Sequence, residues 1–104
     1  MTSIILTHAH YDPDHLEAVK GEMTRRGAPV IRAIWSEVYA SYLAVEGCHR
    51  IRAAKELGLT PVVKDITHNK TVRLQSDDEI VTVKVADLAA ELEGSAYQSE
   101  IFHF

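Results

Sequence analysis

Short apolar runs alternate with helical patterns along the chain, and polar or glycine-containing breaks separate them. Runs of about four to eight residues rich in Ile, Val and Leu are typical of strands, whereas apolar residues that recur every three or four positions are typical of helices. The sequence therefore predicts strands at 3–7, 30–35, 39–46 and 61–66, a hairpin at 71–74 and 80–85 with its turn at 76–78, and helices at 13–26, 48–57 and 87–93. This order predicts an α+β fold, a small mixed β-sheet with flanking helices.

Two of these helices carry clear end signals. Asp12 is a favourable N-cap and Pro13 a favourable first residue for the first helix, and Gly27 suits its C-terminal cap. For the second helix, Gly58 supplies a left-handed cap and Pro61 prevents continuation. The second helix is also predicted to be amphipathic, because its apolar side chains share one face while its basic ones, including Arg50 and Arg52, lie mostly on the other.

The third predicted strand runs directly into the second helix through Gly47, Cys48, His49 and Arg50. A helix N-terminus directs backbone N–H groups and a partial positive charge at one point, and a glycine there allows a positive φ and close approach of a ligand. Arg50 adds a cation, and Cys48 lies where the helix dipole favours the thiolate. We therefore expect this junction to hold an anion, with phosphate as the best candidate. The alternative is a capped amphipathic helix with a half-buried structural cysteine.

The segment EGCHRIRAAKELGL, residues 46–59, resembles the signature of the ParB/sulfiredoxin superfamily. Partition proteins carry Gly-Glu-Arg-Arg-x-Arg-Ala-Ala, and sulfiredoxins carry Gly-Gly-Cys-His-Arg, at the same strand-to-helix turn; the order of elements over residues 4–66 also fits. The resemblance implies that Gly47, Cys48, His49 and Arg50 bind nucleotide phosphates, and that Arg52 matches the later arginine of the partition-protein box. It implies a nucleoside triphosphate with Mg²⁺ as the cofactor.

The resemblance leaves three functions open. The first is a nucleotide-dependent phosphotransferase or nucleotidase, in which Glu46 binds metal or orients a hydroxyl nucleophile, because other superfamily members carry an acid followed by Gly-His-His-Arg. The second is a sulfiredoxin-like thiol reductase with Cys48 as the attacking thiolate and His49 and Arg50 on the phosphate. The third is a non-catalytic switch module that binds a nucleotide or a protein.

His8, His10 and His15 form a second candidate site. A strand followed by His-x-His-x-Asp is similar to the metal motif of metallo-β-lactamase-type hydrolases, and imidazoles two positions apart at a strand end can bind zinc. The alternative is a solvated loop in which Asp12 caps a helix. A third interpretation has these histidines help to bind the nucleotide or its magnesium ion.

Composition limits the number of domains, the predicted partners and the predicted location of the protein. The 104 residues, 46% hydrophobic and 25% charged, fit one small domain, expected at 1–94, followed by an apolar-aromatic tail at 95–104 that is suited to a protein partner or a second copy. A net charge of −4 without a basic stripe argues against DNA. No apolar run approaches the roughly 20 residues that span a bilayer. With a single cysteine and no basic, cleavable leader, the chain is predicted to be cytoplasmic.

Overall fold

Seven strands and three helices are present in the residues that the computed structural model describes, which are 2–7, 11–76, 78–96 and 100–104. In chain order they are β1 (Ser3–Leu6), α1 (Pro13–Arg26), β2 (Val30–Ser36), β3 (Ser41–Ala44), α2 (Cys48–Leu57), β4 (Val62–Asp65), β5 (Thr71–Ser76), β6 (Glu79–Lys84), α3 (Val85–Ser95) and β7 (Glu100–His103). Together they make a small mixed α/β domain. None of these described helices has the length and apolar character needed to cross a membrane.

Five of the strands form one mixed sheet in the order β4-β2-β3-β1-β7. Strands β1 and β3 are parallel, as are β2 and β4, whereas β2 with β3 and β1 with β7 are antiparallel. Strands β5 and β6 form a separate antiparallel hairpin. Because β1 and β3 run in the same direction, their C-terminal ends meet at one edge of the sheet. The starts of α1 and α2 are therefore brought together there.

The sheet has a hydrophobic core on each face. Alternate residues of β1 point to opposite faces: Ile4 and Leu6 pack with Ile51 of α2, whereas Ile5 packs with Leu88 of α3. The α1 and α2 helices cover one face, and α3 with the hairpin covers the other.

The caps predicted for α1 and α2 are confirmed. The Asp12 side chain accepts hydrogen bonds from the backbone N–H groups of Asp14 (2.9 Å) and His15 (3.4 Å). Gly58 has the left-handed conformation, with φ of +72°. Local side-chain chemistry therefore places these helix ends correctly.

The largest differences from the prediction concern two strands, since the other strand ends shift by at most two residues. The third strand is Ser41–Ala44 rather than 39–46, because residues 37–40 form a turn in which Ala40 has a φ of +49°. In the tail, which has no clear hydrophobic period, Glu100–His103 forms β7 and pairs with β1. The predicted contact of this tail with a partner or a second copy stays a prediction.

The third helix is longer than predicted at both ends. It begins at Val85 rather than Asp87, because the Val85 side chain is buried together with Leu88 and Leu92 in the core beneath the helix. It also continues through Gly94, although the helix predicted from the sequence ends at residue 93. Tertiary packing outweighs the local strand pattern at one end and the low helix propensity of glycine at the other.

Candidate functional site

The junction between β3 and α2 has a backbone conformation that suits glycine. Gly47, the N-cap residue of α2, has φ of +88° and ψ of 30°, and its carbonyl accepts the first helical hydrogen bond from the Ile51 N–H at 2.8 Å. A Cβ at Gly47 would lie 2.9 Å from Cδ1 of Ile31, a fully buried side chain. Any other residue would combine a strained φ with this close contact. The positive φ expected from the sequence is confirmed.

A cavity of about 350 Å³, the junction cavity, opens at the N-terminus of α2. The residues that line it come from α1 and from the junction itself: His15, Val19, Glu46, Gly47, Cys48, His49 and Arg50. The fold thus brings the predicted segment 46–50 together with one histidine of the other candidate site. The first turn of α2 directs its backbone N–H groups out of the helix end, which makes this position suitable for an anion.

The carboxylate of Glu46 is paired with arginine. Its Oε1 accepts hydrogen bonds from Nε and Nη2 of Arg32 at 2.8 and 2.7 Å, and Nη2 of Arg50 lies 3.9 Å away. Arg32 also donates to the backbone carbonyl of Arg73 in the hairpin at 2.8 Å. Two guanidinium groups therefore face one carboxylate, and the local balance is positive. Sequence reasoning missed Arg32, because it reaches Glu46 only through the pairing of β2 with β3.

Arg50 lies between the junction cavity and a neighbouring cavity at the C-terminal end of α1. One Nη1–H donates to the carbonyl of Val30 at 3.0 Å, and the side chain is partly exposed. A guanidinium group carries five N–H donors. Arg50 can therefore keep this bond and still offer donors to a ligand.

His49 joins the starts of α1 and α2. Its Nε2 accepts a hydrogen bond from the backbone N–H of Asp12 at 3.0 Å, and its ring packs edge-to-face against His15 with centroids 4.4 Å apart. A neutral ring whose Nε2 accepts a hydrogen bond carries its proton on Nδ1. His49 is thus a positioning residue at the cavity wall, where the pattern alone indicated only a phosphate ligand.

Arg52 is buried and paired with Glu100, which the sequence pattern did not predict. The sequence pattern grouped Arg52 with the basic residues opposite the apolar face of α2, but the Arg52 side chain is buried, at 9% exposed. Its guanidinium donates to both carboxylate oxygens of Glu100 in β7, at 3.1 and 2.8 Å, and stacks over the Tyr11 ring at 4.4 Å. The Glu100 hydrogen bonds are the main cause that raises the pKa of Arg52, and a hydrogen bond with Cys48 contributes as well. Arg52 thus contacts the tail and the thiol and does not line the junction cavity.

The histidine-rich loop is only partly within the described residues. His8 and His10 lie outside them, and His15 lies in the first turn of α1 against His49. Within 2–7, 11–76, 78–96 and 100–104, no three His, Cys, Asp or Glu side chains are grouped so that they could hold a metal ion. A metal site at His8, His10 and His15 stays a prediction.

Comparisons of the chain with protein-family models, with curated proteins and with solved structures found no match. The resemblance of residues 46–59 to a known signature therefore stays a prediction. The geometry around the start of α2 is the ground on which a function can be argued.

Proposed function

We propose that the chain binds the phosphate groups of a nucleoside triphosphate at the N-terminus of α2, as its resemblance to the ParB/sulfiredoxin superfamily implies. One observation carries the proposal: a glycine with a φ of +88° opens the start of a helix directly onto the junction cavity. Glycine is required for this geometry, because a Cβ at Gly47 would lie 2.9 Å from Cδ1 of Ile31. The turn that it permits leaves the backbone N–H groups of the helix start facing an anion in the cavity.

The charges around the junction cavity support an anionic ligand. The chain as a whole has a net charge of −4, so an anion is attracted only where the local charge is positive. At the cavity, Arg32 balances the carboxylate of Glu46 and leaves the charge of Arg50 as the excess. The partial positive charge of the helix N-terminus adds to it.

The ligand contacts follow from this arrangement. The backbone N–H groups at the start of α2 donate to phosphate oxygens, and Arg50 donates from the cavity rim. His15, in the first turn of α1, faces the same space. His49 positions the two helix starts through its bond to Asp12. Arg52 has no part in phosphate binding in this proposal, because Glu100 holds its guanidinium.

The residues present do not fit a resident magnesium ion. Mg²⁺ prefers several oxygen ligands, and the one carboxylate that lines the cavity, that of Glu46, is bonded to Arg32. Mg²⁺ enters the proposal only as the counter-ion that a nucleoside triphosphate brings with it. The role predicted for Glu46 as a metal ligand or nucleophile-orienting base would require the Arg32 pair to open.

A thermal-shift titration tests the proposal. ATP, CTP, GTP and ADP are each added with and without Mg²⁺, and adenosine serves as the ligand without phosphate. Binding to the native state raises Tm by mass action, so at least one triphosphate should raise Tm while adenosine does not. Arg50→Gln should weaken this effect, whereas the matched variant Arg25→Gln, at the far end of α1, should not. Equal Tm shifts in both variants, or none with any nucleotide in the unmodified chain, would refute the proposal.

A second candidate function uses the thiol. Cys48 lines the junction cavity, and its interaction with Arg52 helps to raise the pKa of that guanidinium, a setting that suits a sulfiredoxin-like reductase. Cys48→Ser separates the two functions: it should leave nucleotide binding in place and abolish reduction of a sulfinic-acid protein substrate. If the unmodified chain binds a nucleotide but neither turns it over nor reduces the sulfinic-acid substrate, the result favours the non-catalytic switch module.

A further inference from the structure

A second cavity, of about 450 Å³, lies where the turn between β2 and β3 meets the loop after β4 and the end of α3. We call it the Trp35 pocket, and its lining residues are Trp35, Glu37, Val38, Asp65, Thr67, His68 and Glu93. It shares no lining residue with the junction cavity. The proposed function therefore leaves this pocket unexplained.

The indole of Trp35 is held in place and yet accessible. The Trp35 backbone N–H donates to the Thr67 hydroxyl oxygen at 2.8 Å, and the ring packs edge-to-face against Tyr42 with centroids 5.1 Å apart. Trp35 is still 40% exposed, and neighbouring Val38 is 75% exposed. A large aromatic surface that is already fixed loses little conformational entropy on binding.

Asp65 is an ordered carboxylate that lines the same pocket. Its Oδ1 accepts hydrogen bonds from the backbone N–H of Thr67 at 2.9 Å and from the Thr67 hydroxyl, and its Oδ2 accepts from the Tyr42 hydroxyl at 3.3 Å. The Thr67 hydrogen bonds are the main cause that lowers the pKa of Asp65. The carboxylate is therefore charged and fixed in orientation near neutral pH.

The pocket has an excess of negative charge. Glu37 lies in the turn after β2, and Glu93 lies in the last turn of α3. Neither glutamate forms an ion pair with a Lys or Arg of the described residues. Together with Asp65, they place three carboxyl-bearing residues in the lining of the pocket that also contains Trp35, against one imidazole from His68. A pocket lined by an aromatic residue and by several carboxylates is complementary to an organic cation.

We propose that the Trp35 pocket binds the guanidinium group of an arginine side chain on a partner protein. A guanidinium is planar and always charged, so it can stack on an indole while its N–H fork donates to carboxylates. The exposed Val38 offers apolar surface to the methylene groups of the same side chain. The proposed partner is thus a protein that presents a basic, arginine-containing segment to this acidic chain.

The single tryptophan makes the test direct, because the intrinsic indole fluorescence of the chain comes from Trp35 alone. Three probes are titrated: the peptide acetyl-Gly-Arg-Gly-amide, the same peptide with neutral citrulline in place of arginine, and spermidine. The arginine peptide should change the fluorescence saturably with a Kd on the order of 1 mM, which corresponds to the small contact of one side chain. The citrulline peptide should not.

Charge variants decide whether the pocket is responsible. Glu37→Gln combined with Glu93→Gln should weaken binding of the arginine peptide roughly fivefold, as expected for the loss of two partly solvated ion pairs. The matched control, Glu79→Gln combined with Glu91→Gln, removes the same charge at surface positions outside the pocket and should leave binding unchanged. Equal weakening in both variants, equal binding of the citrulline peptide, or tighter binding of spermidine than of the arginine peptide would each overturn the proposal.

Discussion

Glu100→Gln is expected to destabilise the domain more than most substitutions on an edge strand do. The Arg52 side chain is 10% exposed and its partner Glu100 is 45% exposed, so the pair lies between the two regimes known for ion pairs. Removing one partner of a fully buried pair costs about 3–5 kcal/mol, and an exposed pair contributes about 0.2–1 kcal/mol. We therefore expect a loss of about 2 kcal/mol in the free energy of unfolding, which lowers Tm by about 10 °C in a domain of this size.

The same pair predicts the pH dependence. Arg52 lowers the pKa of Glu100 below its usual value, so the folded state holds this proton less tightly than the unfolded state does. The stabilisation is therefore fully present above the unfolded pKa of the glutamate and is lost as the pH falls through the lower, folded pKa. In the Glu100→Gln variant, this part of the acid-induced loss of stability should be absent.

Urea unfolding at neutral and acidic pH measures both effects. The matched control is Glu79→Gln, an exposed acid of β6 that forms no ion pair with any of the described residues. This change should alter stability by less than about 0.5 kcal/mol. Native-state hydrogen exchange adds a local readout, since the β1 amides that pair with β7 should lose protection first. If Glu100→Gln and Glu79→Gln are equally stable, the reasoning from Arg52 burial is refuted.

Three further substitutions test the fold around the site. Gly47→Ala should cost about 1–2 kcal/mol from its positive φ alone, and urea unfolding with no loss would contradict the assigned backbone strain. Leu88→Ala should cost about 2–4 kcal/mol through the cavity it leaves, whereas the partly exposed Leu57→Ala should cost less; equal losses would dispute the position of the core. His49→Ala should cost about 1 kcal/mol and speed hydrogen exchange of the Asp12 amide, and an unchanged exchange rate would exclude the bond between them.

Local chemistry predicted the parts of the fold that depend on near neighbours. Asp12 caps α1 through N–H groups two and three residues away, and Gly47 and Gly58 adopt the positive φ that their places at helix ends require. The core face of α2 also follows from spacing, since Ile51 and Ala54 are fully buried. These features need no information from distant parts of the chain.

Features that depend on distant residues could not be predicted. Arg52 is buried because Glu100, 48 residues later, supplies its counter-charge, and no pattern within α2 indicates this. Glu46 similarly meets Arg32 across the β2–β3 pairing. Strand β7 has no period of its own and is defined by its hydrogen bonds to β1. Which polar side chains meet in the folded chain depends on the order and pairing of the strands, and local sequence patterns do not show that order.

The pairing of β1 with β7 has a consequence for synthesis on the ribosome. Ser3 pairs with His103, and their side chains form a hydrogen bond across 100 positions of sequence. β7 emerges after every other described element, so the edge of β1 that pairs with it is unpaired while the rest of the chain is synthesised. During that interval the outer edge of β1 has unpaired N–H and C=O groups, and such an edge can pair with an extended segment of another chain.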